Sequence, residues 1–193
     1  KERTRRRILG AAGRLFRENG YAATGVDAVM QAAGLTPGGF YTHFESKDAL
    51  LAEAVDTALK RTRALLTGGL EDREGEEWLR GVVQRYLSRA HRDAVGRGCP
   101  LPALGPELAR GGATARDAVD RHLEELVQAA QQQGEVGSAP LPEDAHAHRQ
   151  QILAMLALCA GGILLARSVR DPELSDEILT ACRILVEQSV RTV

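Results

Sequence analysis

A short stretch, residues 34–47 (GLTPGGFYTHFESK), carries side chains and main chain that could bind another molecule. Thr36 and Pro37 predict a helix start, because threonine caps free amides and proline suits the first helical position. Two glycines follow, Gly38 and Gly39, although each costs about 1 kcal/mol against alanine inside a helix. Such a start either lets another molecule approach the main chain closely or is simply a weak, frayed helix end.

Three consecutive polar residues then lie between two phenylalanines, Phe40 and Phe44. The i, i+4 spacing of the phenylalanines predicts that both anchor one face of the helix. The hydroxyls of Tyr41 and Thr42 can donate to phosphates or base edges, and the Thr42 methyl suits a thymine. His43 could donate to a phosphate. The pattern favours contact with nucleic acid.

Positive charge is concentrated at the beginning of the chain. Residues 1–63 hold 11 Lys+Arg against 7 Asp+Glu, so +4, whereas the remainder holds 14 against 19, so −5. Lys47 would add a positive charge to helix amides that already face anions. A basic arm ahead of the first helix is formed by Arg3, Arg5, Arg6 and Arg7. The charge division predicts that this region meets a polyanion, while the alternative for the arm is a solvated, disordered terminus.

Helices must position these residues. An apolar stripe with helical spacing predicts a first helix over 3–19, formed by Ile8, Ala11, Ala12, Leu15 and Phe16. The sequence from Thr24 to Asp27 fits a capping box that opens a short second helix, closed by Gly34. A third helix is predicted from Pro37 to about His43 or Phe44. Two short helices joined by a glycine turn and braced by a longer one predict a helix-turn-helix DNA reader.

The rest of the chain also carries helical patterns. Ser46 is predicted to cap a long fourth helix, which breaks at Gly68 and Gly69. Further helices are predicted over 74–94, 101–110, 114–133, 142–169 and 173–191. Since no segment shows the alternation typical of strands, the fold is predicted to be all-α with about nine helices.

Residues 3–63 resemble the DNA-binding domain of the TetR family of bacterial regulators. The matching segments are Ile8 to Thr24, Val29 to Leu35, and Phe40 to Leu50. The resemblance implies a three-helix helix-turn-helix domain over 1–46, a connecting helix over 46–66, and a ligand-binding and dimerisation domain over 47–193. It also implies a recognition helix at about 37–43, with Tyr41, His43 and Lys47 as backbone contacts. The full set of candidate DNA contacts is Arg3, Arg5, Arg6, Thr24, Thr36, Pro37, Gly38, Gly39, Tyr41, Thr42, His43 and Lys47.

Two positions depart from the family pattern. Met30 stands where a small residue is usual at the crossing of the two short helices, so their packing is expected to shift. Gly39 stands where threonine or serine is frequent, which removes one potential base contact. The operator sequence therefore cannot be transferred from relatives.

The last two helical segments are predicted to form a homodimer surface, because small residues on helix 142–169 permit close approach and two helices per subunit build a four-helix bundle. The candidate interface residues are Leu156, Ala160, Ile163, Leu164, Ile178 and Leu185. The alternative is that they form the core of a monomer.

The family likeness also implies a pocket for a small, largely apolar effector. Its candidate lining residues are Trp78, Tyr86, Cys99, Leu101, Leu104, Leu108, Leu123 and Leu126. The alternative, which the residue types favour for each one alone, is ordinary core. Cys99 lies in a Gly-Cys-Pro segment that resembles those of some electrophile or oxidant sensors, which would need thiolate character; the alternative is a structural, buried cysteine.

No catalytic motif, metal-ligand spacing or cofactor fingerprint is present in the sequence. Three cysteines without CxxC spacing and the absence of an apolar leader predict a reduced, cytoplasmic setting. The longest apolar run, about 15 residues, is shorter than the ~20 residues of a membrane span. We predict a homodimeric repressor that binds palindromic operator DNA and is released by ligand. The alternatives are a helical small-molecule-binding protein, or enzyme, and a ligand-independent architectural DNA binder.

Overall fold

The computed structural model describes residues 1–136 and 145–191, and across them the fold is all-α, as predicted. Nine α-helices and one 3₁₀ helix follow one another within these ranges. In chain order they are α1 (Glu2–Asn19), α2 (Val26–Ala32), the 3₁₀ helix (Pro37–Thr42), α3 (Lys47–Thr67), α4 (Gly75–Tyr86), α5 (Arg89–Asp93), α6 (Leu101–Arg110), α7 (Ala113–Val136), α8 (Ala145–Ser168) and α9 (Pro172–Arg191).

Two compact units form from these helices. The first unit comprises residues 1–62 and 95–122, and the second comprises 63–94 and 123–193 as far as they are described. The units therefore do not follow the predicted boundary at residues 46–47. The reason is that a later stretch packs with the N-terminal helices: α6 contacts α1, and Arg17 of α1 donates a buried hydrogen bond to the Gly96 carbonyl.

The apolar stripe of α1 forms the core of the first unit, as its spacing predicts. Ile8, Ala12 and Phe16 are fully buried. On α3, Leu50, Val55 and their neighbours are also buried. The Ser46 side chain accepts a hydrogen bond from the Ala49 amide at 3.0 Å, which confirms the predicted cap at the beginning of α3.

The predicted capping box at Thr24 is wrong. Gly25 is the N-cap of α2, and no side chain caps this end. Thr24 instead turns back toward α1, where its hydroxyl donates to the Gly20 carbonyl at 2.8 Å. Because α1 ends with unsatisfied carbonyls, this hydrogen bond stabilises the turn between the two helices.

The predicted third helix forms as a 3₁₀ helix. The Gly39 amide bonds to the Thr36 carbonyl at 3.2 Å, and the His43 amide to the Phe40 carbonyl at 2.9 Å. A six-residue segment with two glycines has little intrinsic helicity, so the tighter, short-range pattern is what such a segment sustains.

The helix predicted over 74–94 is two helices. The chain leaves the helical conformation at Leu87, and Ser88 caps α5 by accepting from the His91 amide at 3.1 Å. Further along, α7 continues past the predicted end at 133. The predicted start of the next helix at 142 lies outside the described residues.

The second unit has its own core, formed between α4, α8 and α9. Its buried residues are Val83, Leu87, Cys159, Ile163, Ala166, Leu179 and Val186. By length and composition alone, His146–Ser168 could cross a membrane, with a mean hydropathy of 1.7. Here that helix packs along α9 over much of its length, and its buried residues supply this core.

Candidate nucleic-acid interface

The 3₁₀ helix is anchored from one side only. Phe40 is fully buried and Phe44 is 3 % exposed, and their rings stack with centroids 5.8 Å apart. The opposite side carries Pro37, Gly38 and Tyr41, which are exposed. Thr36 and Thr42 are exposed as well. The phenylalanine pair predicted from spacing therefore holds a small, exposed polar surface outward.

Gly38 leaves the main chain bare on that exposed surface. A Cβ atom built there would meet no heavy atom within 4 Å. The neighbouring Gly39 differs, because a Cβ there would lie 3.6 Å from the Met30 Cε. The two departures from the family pattern, Met30 and Gly39, thus face each other, and the larger methionine occupies space beside a residue without a side chain.

The polar side chains of residues 41–43 differ in their exposure and in their hydrogen bonds within the protein. Tyr41 is 76 % exposed, with its ring edge against Phe40 at a centroid distance of 5.1 Å. The Thr42 hydroxyl donates to the Gly39 carbonyl at 2.6 Å. His43 is half-buried, and its Nδ1 is buried without a hydrogen-bond partner among the described residues. Tyr41 is therefore the side chain of this set that projects most freely.

Lys47 contacts the turn after α1. Its Nζ donates to the Tyr21 carbonyl at 2.7 Å and lies 4.2 Å from the centroid of the Tyr21 ring. The Tyr21 hydroxyl donates to Asp48, and burial together with this carboxylate raises the pKa of Tyr21. Lys47 thus places a cation at the beginning of α3 while bracing the loop that precedes α2.

The predicted basic arm is wrong in its conformation. Helix α1 begins at Glu2, so Arg3, Arg5 and Arg6 lie on a helix rather than ahead of one. Arg3 is exposed, and the Arg6 side chain is 74 % exposed, with a weak pair to Glu2 at 3.5 Å. Arg5 is instead turned inward onto Glu53.

Thr24 does not face solvent. It is 3 % exposed, and its hydroxyl bonds within the protein. The prediction that Thr24 contacts DNA is therefore not supported by its position, because a buried hydroxyl that already donates cannot reach a phosphate.

The candidate effector residues divide evenly between the units. Cys99, Leu104 and Leu108 are buried in the first unit, where Leu101 is half-buried. Trp78, Tyr86, Leu123 and Leu126 are half-buried in the second unit. Within the first unit, an open groove of about 450 Å³ runs between α6 and the beginning of α7. Its lining residues are Leu101, Gly105, Leu108, Ala109, Ala113, Arg116, Asp117, Val119 and Asp120.

The candidate dimer residues differ in their exposure. Ile163 is fully buried within the core of the second unit, so its side chain does not reach the surface of that unit. Leu156, Ala160 and Ile178 are half-buried. Leu164 and Leu185 are 44 % and 53 % exposed. Leu165 and Ile184, which belong to the same predicted apolar surface, are 57 % and 50 % exposed. The prediction left out Leu153 and Leu174, which are 37 % and 43 % exposed.

Among the residues that the structure describes, no group of three or more His, Cys, Asp or Glu side chains is placed to hold a metal ion. The Cys159 thiol is buried against Cys182, and burial raises its pKa to about 12.

Comparison with known proteins gives consistent matches. Residues 8–54 match the profile described as bacterial regulatory proteins, tetR family, and residues 75–182 match a tetracyclin repressor-like C-terminal domain. An uncharacterised HTH-type transcriptional regulator of Mycobacterium tuberculosis is 31 % identical over 177 residues, 86 % of each chain. The HTH-type transcriptional repressor DhaR of a Mycobacterium species is 25 % identical over 185 residues, 91 % of this chain and 88 % of that one.

Solved structures agree with these matches. The crystal structure of a TetR transcriptional regulator from Chloroflexus aurantiacus superposes with a TM-score of 0.79 and 26 % identity, covering 97 % of this chain and 96 % of that chain.

Proposed function

Because the chain belongs to the TetR family of DNA-binding transcriptional regulators, we propose that it is a homodimeric repressor of palindromic operator DNA. The observation that carries the proposal is the 3₁₀ helix, where the buried Phe40, together with Phe44 just after the helix, holds Gly38 and Tyr41 outward. A bare main chain lets this helix approach the base edges of a major groove, while neighbouring hydroxyls and cations bind phosphates.

The contact set follows from exposure. Thr36, Pro37, Gly38, Tyr41 and Thr42 present the reading surface. Gly39 and His43 contribute through main chain and partly buried edges, and Lys47, Arg3 and Arg6 supply positive charge at the margin. Phosphate contacts fix the register of the protein, and base contacts select the sequence.

A second copy of the chain supplies the second reading helix. Leucine and isoleucine side chains on α8 and α9, among them Leu165 and Ile184, are 57 % and 50 % exposed in the single chain. Covering them with the same helices of a partner would bury this area from water, and a two-fold pair reads half-sites about 34–36 Å apart.

Repression that a ligand relieves is the proposed mode of action. The name of the repressor DhaR supports repression, and the match of residues 75–182 to a tetracyclin repressor-like domain supports a small-molecule effector. The effector must bind the state with low DNA affinity more tightly, since a ligand shifts an equilibrium only by its differential affinity. A cytoplasmic location is part of the proposal, because that is where bacterial operator DNA lies.

Selection from a random duplex library tests the proposal. Purified protein is expected to enrich duplexes with an inverted repeat, and the enriched duplex should bind one dimer with an affinity at least about 1,000-fold above that of a scrambled duplex. Enrichment of no sequence, or equal affinity for both duplexes, would contradict the proposed function.

A further inference from the structure

Two arginines at the beginning of α1, the half-buried Arg5 and the exposed Arg7, bond to other segments of the first unit. The Arg5 guanidinium makes a two-point contact with Glu53 of α3, with Nη1 2.5 Å from Oε2 and Nη2 2.5 Å from Oε1. The same guanidinium lies 4.7 Å from the centroid of the Phe44 ring. Arg5 therefore links α1 and α3 with Phe44, which follows the 3₁₀ helix.

Arg7 makes the corresponding contact with α2. Its Nη2 donates to the Ala33 carbonyl at 2.6 Å, just past the end of α2. A cation at this place satisfies a free carbonyl and opposes the negative end of the helix dipole. Gly34 leaves room for it: a Cβ there would lie 2.8 Å from Arg7 Nη2.

Both short helices need such support. Isolated helices of six or seven residues are unstable, so their orientation depends on contacts with longer helices. Phe40 and Met30 fix the buried side of this pair. Arg5 contacts Phe44, just after the 3₁₀ helix, and Arg7 contacts the Ala33 carbonyl, just after α2. The two arginines therefore hold the C-terminal ends of the two short helices.

On the basis of these contacts, and resting on the proposed function, we propose that Arg5 and Arg7 are positioning residues that set the angle of the reading helix against α1. The phosphate contacts of this region then belong to Arg3 and Arg6. The basic cluster of four arginines is thus divided into two side chains that bond within the protein and set geometry, Arg5 and Arg7, and two that are left to bind the polyanion, Arg3 and Arg6.

Glu53 separates this proposal from the simpler view that Arg5 binds a phosphate. If Arg5 contacts DNA, removing the negative charge of Glu53 frees a cation and strengthens binding. If Arg5 sets geometry, Glu53→Gln breaks the two-point contact and weakens binding, even though the net charge becomes more favourable for a polyanion. The two views predict opposite signs.

Fluorescence anisotropy with the duplex enriched by the parent protein, and with a scrambled duplex, measures both effects. Glu53→Gln and Arg5→Gln are each expected to lower affinity for the enriched duplex about fivefold to tenfold. The double variant should be no weaker than Arg5→Gln alone, and Arg5→Lys, which keeps the charge but not the two-point geometry, should not restore affinity. Binding to the scrambled duplex after Glu53→Gln should not fall.

Salt dependence provides the matched control. Arg6→Gln should reduce the slope of log affinity against log salt by about 0.9 for each phosphate that the variant no longer neutralises, on both duplexes. Glu53→Gln should leave that slope unchanged. Arg170→Gln, at an exposed arginine of the second unit, is the reference for Arg6→Gln. It removes the same charge away from the proposed DNA surface and should leave the salt slope unchanged. Thermal unfolding of each variant identifies any that fail to fold, in which case Glu53→Ala, which also removes the negative charge, replaces Glu53→Gln.

Tighter or equal binding of the enriched duplex by folded Glu53→Gln overturns the proposal, as does full recovery by Arg5→Lys. Failure of the parent protein to enrich any duplex would instead contradict the proposed function, so the two failures are distinguishable.

Discussion

The 3₁₀ helix and the α8–α9 surface, here the exposed residues Leu164, Leu165, Ile184 and Leu185, show two different uses of exposure. On the 3₁₀ helix, the exposed atoms are main chain and hydroxyls, and the apolar side chains are buried behind them. On the α8–α9 surface, four large apolar side chains are 44–57 % exposed although the helices beneath them pack into a core.

The difference concerns what each surface gains from a partner. Water solvates the glycine main chain and tyrosine hydroxyl well, so the reading surface is stable without DNA and binds through directional, salt-sensitive contacts. Water solvates leucine and isoleucine poorly, so the α8–α9 surface gains free energy from burial itself, at about 25 cal/mol per Å². In the proposed function, the first surface selects the DNA sequence and the second joins two copies of the chain.

Charges placed on the α8–α9 surface should produce the largest effect. The double variant Leu165→Glu/Ile184→Glu is expected to raise the dimer dissociation constant at least about 100-fold, because four carboxylates would be buried without partners. Sedimentation equilibrium would then report 20.8 kDa rather than twice that mass.

Leu65→Glu is the matched control for that double variant. Leu65 is 60 % exposed on α3, outside the surface defined by α8 and α9, so its variant should remain dimeric. Dissociation by Leu65→Glu to the same extent would show that added charge, not the α8–α9 surface, controls assembly.

A side chain at Gly38 should remove DNA binding without affecting assembly. Since a Cβ there meets nothing within 4 Å in the protein, Gly38→Leu should fold normally but hold the main chain away from the duplex. We expect about a 30-fold loss of affinity for the enriched duplex, measured by anisotropy alongside sedimentation.

Gly105 offers the control, because a Cβ at this α6 position also meets nothing within 4 Å. Gly105→Leu should leave DNA affinity unchanged in the absence of ligand. Unimpaired binding by Gly38→Leu would mean that the 3₁₀ helix does not enter the groove.

The Tyr41 hydroxyl should have a moderate effect. Tyr41→Phe keeps the ring against Phe40 and removes one donor from a side chain that is 76 % exposed. Affinity for the enriched duplex is expected to fall about fivefold, the loss of one hydrogen bond to a charged group. Dimer mass and melting temperature should not change, and an unchanged affinity would exclude this hydroxyl as a contact.

The smallest effect should be the pH dependence of the second unit. Burial lowers the pKa of His91 below its usual 6.5, while its Nδ1 lies 2.6 Å from the Tyr86 carbonyl. The unfolded chain therefore binds the proton at higher pH, and the stabilisation present above pH 6.5 is lost as pH falls through the folded pKa.

Calorimetry between pH 7.5 and 5.5 measures this dependence. The parent should lose about 2 °C more in melting temperature than His91→Gln over that range. An equal or larger loss in His91→Gln would assign the pH dependence to other groups.

Local sequence signals predicted the helices and their anchors well. The stripe of α1, the cap at Ser46 and the burial of Phe40 and Phe44 depend on residues a few positions apart, so period and residue type suffice. The prediction for Thr24 was wrong because its hydroxyl can either cap α2 or bond back to the Gly20 carbonyl. The prediction of one helix over 74–94 was wrong because Ser88 can either continue a helix or cap a new one, α5. Tertiary packing decided between a helix cap and a turn, and between one helix and two.

Some features of the candidate site were predictable from the sequence and others were not. The exposure of Tyr41 followed from its place between Phe40 and Phe44, and the bare main chain at Gly38 followed from a glycine at a helix start. The roles of the four arginines did not, because all four carry the same charge and their positions along the chain do not say which meets Glu53, a residue 48 positions from Arg5.

By itself, the sequence determined an all-helical chain with a short glycine-containing segment held by two phenylalanines, since helix formation and amphipathic burial depend on local spacing. Only the tertiary structure decided which charges are neutralised and which apolar side chains stay exposed. Those outcomes depend on pairs of residues distant in the chain, such as Arg5 with Glu53 and Arg17 with Gly96, and such pairs exist only once the helices have packed.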